Sequence, residues 1–68
     1  MKMTDKELET WNKRNPPGTP CRVLRNDGQW HKTRTRSIAW RLGHDDVVVK
    51  LEGISGGYDL DYIEVDNT

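Results

Sequence analysis

Three side chains in this sequence are soft or borderline metal ligands: Cys21, His31 and His44. They are widely spaced and form neither a C-x-x-C nor an H-x-x-x-H pair, the spacings that bring ligands to one ion from a single turn or helix face. No metal site and no cofactor is expected from them. A nucleophile would need Cys21 or a serine beside a histidine with an orienting third group, and nothing in the sequence positions such a set. Asp45-Asp46 falls in a turn context, where aspartate caps backbone amides. Asp59 and Asp61 share one side of an extended segment and read as solvated or paired with Lys or Arg, not as an acid/base couple. Gly53-x-x-Gly56-Gly57 lacks the lysine and following helix of a phosphate loop and reads as a hairpin turn. The expectation is that the chain is not an enzyme.

One stretch has the composition of a binding surface. Between Trp30 and Arg41, the basic residues His31, Lys32, Arg34, Arg36 and Arg41 are interspersed with Thr33, Thr35 and Ser37, with Trp30 and Trp40 flanking. Cations beside hydroxyls and aromatic rings contact anions by charge and hydrogen bonding. These five are the candidate partner-binding residues. An acidic protein surface is the preferred partner, and nucleic acid is the alternative. The charge balance limits both: 11 Lys and Arg oppose 11 Asp and Glu, with six basic and one acidic residue in 21–44 but one basic and seven acidic in 45–68. Neutralisation across paired strands therefore competes with a free basic patch.

The elements that must position these residues begin with a helix. Thr4-Asp5-Lys6-Glu7 has the T-x-x-E pattern of a capping box, and Met3 and Leu8 stand where a hydrophobic staple would be. A helix is predicted from about Asp5 to Lys13, within residues 4–14. Its apolar side beyond the staple is only Leu8 and Trp11, too narrow to hold it alone in water, so it must dock. Residues 15–20, Asn-Pro-Pro-Gly-Thr-Pro, end the helix and make a stiff connector.

From Cys21 the period becomes two. Cys21 to Arg25 reads as a strand, and Asn26-Asp27-Gly28 as its hairpin turn. Trp30, Ile38, Trp40 and Leu42 share a parity and look core-facing, yet Lys32, Arg34 and Arg36 continue that parity as charges. Three unpaired cations cannot be buried. The prediction is therefore a protruding loop or a strongly bent hairpin arm at residues 32–36 and a strand from roughly Ser37 to Leu42. A turn at residues 43–46 leads to a strand from Val47 to Glu52, with Val47, Val49 and Leu51 on one face. Tyr58 to Leu60 and Ile63 to Val65 complete the set, separated by a tight step at Asp61-Tyr62.

Sixty-eight residues allow a single domain, 1–68, with the β structure in 21–66. Mean hydropathy is −0.96, but three Trp, two Tyr and the Val-rich second half indicate a fold. A lone cysteine rules out an internal disulfide and suits a reducing compartment. No segment approaches the roughly 20 apolar residues that span a bilayer, and the first residues lack a signal peptide's apolar stretch. No membrane association and a cytoplasmic location are expected.

The closing run Gly57-Tyr58-Asp59-Leu60-Asp61-Tyr62-Ile63-Glu64-Val65, with its one-turn step before a last strand, resembles the C-terminal half of a Src-homology-3-like small barrel. That resemblance implies a mainly β fold: a five-stranded Src-homology-3-like barrel carrying a short N-terminal α-helix. The first strand, Cys21 to Arg25, has no aromatic residue, so polyproline recognition is not carried over. Tyr58-Asp59-Leu60-Asp61 replaces the Val-Gln-Ile-Tyr run of the type II dihydrofolate reductases, so their site is not carried over either. Over nearly its full length the chain also resembles short bacteriophage and prophage proteins, through Trp11-Asn12, Pro17-Gly18-Thr19-Pro20, residues 33–37, Ala39-Trp40, the strand at Val47 to Leu51, Gly53, Gly56-Gly57 and Leu60. This implies a non-catalytic accessory module of the host bacterial cytoplasm that engages a host or phage protein through the basic loop.

Strands this short leave an edge uncovered, which leads to an expectation of weak self-association. Sedimentation at micromolar concentration should show a species heavier than the monomer; a strict monomer with a high melting temperature would refute it.

Overall fold

Helix α1 (Asp5–Arg14) opens the computed structural model of the chain, which describes residues 2–43 and 45–66. The predicted capping box is formed: the Glu7 N–H donates to Thr4 Oγ1 at 3.1 Å, and the Thr4 N–H donates to Glu7 Oε1 at 2.9 Å. The Thr4 N–H first, and then the Thr4 hydroxyl, hold the Glu7 carboxyl below the usual carboxylate range. At the other end the Asn15 N–H and its Nδ2 both donate to the Trp11 carbonyl, each at 2.9 Å, before Pro16 stops the helix.

The helix does dock. Met3, Leu8 and Trp11 are half-buried against the core. Two polar ties fix its position. Asn12 Nδ2 donates to the Ala39 carbonyl at 3.0 Å while its Oδ1 accepts from the Ala39 N–H at 2.7 Å, so one side-chain amide does what a neighbouring strand would do. Arg41 Nη2 donates to the Met3 carbonyl at 2.7 Å and to Asp5 Oδ1 at 3.0 Å.

Six strands follow: β1 (Pro20–Leu24), β2 (Trp30–Arg34), β3 (Trp40–Leu42), β4 (Asp46–Lys50), β5 (Gly57–Asp59) and β6 (Ile63–Val65). They form two antiparallel sheets of order β2-β1-β6 and β3-β4-β5. The β1–β2 turn closes with the Arg25 N–H on the Gln29 carbonyl at 3.0 Å, and Gly28 takes the left-handed conformation (φ 77°) that this three-residue turn requires. Between β5 and β6 the predicted step is a 3₁₀ turn, Leu60–Tyr62, capped by the Asp59 carboxylate, which accepts from the Asp61 N–H at 2.8 Å.

Cys21, Val23, Ala39, Val47, Val49, Leu51 and Leu60 make the core. Val48, on the opposite face of β4, is buried too. It pairs with Trp40 across the β3–β4 ladder, and both abut Gly57, where a Cβ would lie 2.8 Å from Val48 Cγ2 and 3.2 Å from Trp40 Cη2.

Three expectations need correction. The five-stranded barrel is not found: the described residues form six strands in two separate sheets, with no closed barrel among them. Between the sheets, among the described residues, the backbone ladder is reduced to the single bridge Thr35↔Leu51 with its flanking bonds, Arg36 N–H to the Lys50 carbonyl at 2.8 Å and Glu52 N–H to the Arg34 carbonyl at 2.9 Å. Three strands are three residues long, and β5 passes to β6 through a 3₁₀ turn, so no continuous ladder closes the structure. Next, of the two expectations for residues 32–36 the protruding loop is wrong, and Lys32 to Arg34 belong to a hairpin arm: β2 pairs with β1 over five residues, from Pro20↔Arg34 to Leu24↔Trp30. The cations did not have to leave the sheet because their whole parity class faces outward. For the same reason Trp30, Ile38 and Leu42 are not core residues but 43%, 55% and 55% exposed, and regular β3 structure starts only at Trp40, itself half-buried. His44, expected in the turn after β3, lies outside the described residues.

Replacing Asn12 with Ala should lower stability by about 2 kcal/mol, because the Ala39 N–H and carbonyl both lose their partner in a half-buried setting. Urea denaturation followed by helix and tryptophan signals is the check. A loss under a few tenths of a kcal/mol would show that apolar docking alone holds the helix.

Candidate partner-binding face

The register sorts the first sheet into two faces. Cys21 and Val23 point into the core, so their ladder partners Thr33 and His31 share the inner side, while Pro20, Arg22 and Leu24 with Arg34, Lys32 and Trp30 form the outer side. On β6, Glu64 pairs with Arg22, and the Asp66 N–H donates to the Pro20 carbonyl at 3.0 Å. The outer face therefore carries a basic side along β2 and an acidic side along β6, with β1 between them.

Arg22 is shared across that boundary: its Nη2 lies 2.8 Å from Glu64 Oε2. Lys32, Arg34 and Arg36 are exposed and form no ion pair among the described residues. Lys32 and Arg34 stand on one face of β2, and Arg36 follows just past the bridge at Thr35. The other two candidates are placed elsewhere. His31 Nε2 lies 2.9 Å from Asp27 Oδ2 on the inner side of the same hairpin. Arg41 lies on β3 in the other sheet with its guanidinium committed to the start of α1.

Two members of this face were not among the candidates. Trp30, expected inside, opens the outward row of β2, and Arg22 stands beside Lys32. The signal was present, since Trp30 has the parity of three cations that cannot be buried. Beyond Leu24, at the same end of the sheet, Tyr62 is half exposed and meets Tyr58 edge-on, with ring centroids 6.4 Å apart. The Tyr58 hydroxyl donates to the Leu24 carbonyl at 2.8 Å, and the Arg25 guanidinium carbon lies 6.0 Å from the centre of the Tyr58 ring.

Among the described residues no three His, Cys, Asp or Glu side chains gather where they could hold an ion. Cys21 is buried, and burial first, then the Asp66 charge, pushes its thiol up, which disfavours the reactive thiolate. No described helix is long and apolar enough to cross a membrane. Compared with known proteins, the chain matches no family model, no curated protein and no solved structure.

Asp27 sets a pH dependence for the hairpin that carries β2. The Gln29 N–H, donating to its Oδ1 at 2.9 Å, and then His31 hold this carboxyl below its ordinary value of 3.8. Because the folded pKa is depressed, the stabilisation is fully present above about 3.8 and is lost as pH falls through the lower folded value. An NMR titration of the Gln29 amide should give a midpoint below 3.8, and Asp27→Asn should remove that transition. A midpoint at or above 3.8 would refute the assignment.

Proposed function

We propose that this chain is a non-catalytic binding module that holds an anionic partner against the outer side of β2. The observation that carries this reading is the pair of exposed cations Lys32 and Arg34 on the paired strand β2, with exposed Arg36 just past it and none of the three in an ion pair among the described residues. Charges without a partner in the folded chain contribute little to its stability. They do draw in and orient an anion, at a rate that falls as salt rises. The ladder to β1 holds Lys32 and Arg34 at fixed spacing, which a loop would not do. The accessory role in the bacterial cytoplasm is supported by the resemblance to short phage proteins.

Reversing Arg34 and Arg36 to Glu should leave the melting temperature within about 2 °C, since neither side chain forms an ion pair among the described residues, and should abolish retention on immobilised heparin at low salt. Unchanged retention would reject the face, and a large drop in melting temperature would show that these cations serve the fold.

A further inference from the structure

We propose that the anionic partner is a single-stranded nucleic acid, its phosphates running along Lys32, Arg34 and Arg36 and one base stacking on Trp30. This rests on the anionic-partner reading above and specifies its ligand class. Three features of the face carry it.

The first is the exposed indole. Trp30 is 43% exposed in a domain with only three Trp, and it stands in the same outward row as Lys32 and Arg34. A carboxylate partner needs only the cations. A ring at the end of a cation row adds a surface for the π-face of a base, which any sequence can use.

The second is spacing. Alternate residues of a strand are about 6.7 Å apart, so Lys32 and Arg34 stand in line for successive phosphates of an extended strand, with Arg36 following past the bridge at Thr35. The ladder also leaves the edge open at Trp30 and Lys32, while at Arg34 and Arg36 it is taken by Glu52 and Lys50. The Arg25 N–H to Gln29 carbonyl bond fixes the alternation, so the peptide groups of Trp30 and Lys32 point away from β1. Backbone N–H groups there add neutral donors for phosphate oxygens.

The third is exclusion. Glu64 and Asp66 lie two strands from the cations on the same sheet. A double helix laid on this face would bring its second phosphate row toward those carboxylates, whereas a single strand kept to the β2 edge avoids them.

The experiment is a titration of the full chain with four probes at several salt concentrations: an oligothymidylate of about eight nucleotides, an abasic oligonucleotide of equal length, a duplex, and polyglutamate. The oligothymidylate should bind about tenfold more tightly than the abasic strand and the duplex, with a slope of log affinity against log salt near −2 for three phosphate contacts. Trp30→Leu should remove the preference for bases without changing abasic binding, Trp30→Tyr should restore much of it, and Arg34→Glu/Arg36→Glu should weaken both strands at least tenfold. Equal affinity for thymidylate and abasic strands, a preference for the duplex, or indifference to Trp30→Leu would overturn the inference. Polyglutamate binding as tightly as the oligothymidylate would overturn it too, while leaving the anionic-partner reading intact. Failure of all four probes to bind would reject both.

Discussion

The two sheets are held to one another, and to the segment that leads in from the helix, at Thr35. This residue is 2% exposed and has both backbone groups and its hydroxyl bonded. Its N–H donates to the Thr19 carbonyl at 3.0 Å, its carbonyl accepts from the Gly18 N–H at 2.7 Å, and its Oγ1 accepts from the Thr19 N–H at 3.1 Å and donates to the Pro16 carbonyl at 3.2 Å. It also bridges to Leu51. A buried hydroxyl left unpaired would cost on the order of 1–3 kcal/mol; here it fixes three segments in one place. The connector suits this contact, since Pro17 and Gly18 (φ 96°) give the turn that brings the Thr19 N–H within 3.1 Å of the Pro16 carbonyl. Because β2 is fixed at Thr35 and along β1, the backbone that carries Lys32 and Arg34 cannot fold back on the acidic strand.

What could be read from the sequence was local. The capping box, the Gly28 turn, the Val47, Val49 and Leu51 face and the step before Ile63 each depend on residues a few positions apart, and each formed. The face of β2 was misread because parity is relative: it groups Trp30 with Lys32 and Arg34 but does not say which side is in. A large apolar residue was given more weight than two cations, although an exposed indole costs far less than buried charge. Asn12 and Thr35 were passed over for another reason. Their roles lie in hydrogen bonds to Ala39 and to residues 16–19, and nothing near them in sequence marks those partners. Barrel closure failed as an expectation because it depends on how far the ladders run at strand ends, where three-residue strands have none to spare.

Net charge is a poor guide to the field at this surface. The basic stretch and the acidic C-terminal third come together on one sheet because β1 lies between β2 and β6, so opposite charges stand on two edges instead of alternating. Arg22 and Glu64 neutralise each other in the middle, at 2.8 Å. Two strand spacings, about 9.6 Å, then separate the backbone of β2 from that of β6. That exceeds the screening length of about 8 Å at physiological salt. An anion lying on the outer edge of β2 is therefore within reach of the cations while the carboxylates across the sheet are largely screened, and a chain of zero net charge can still present a basic edge.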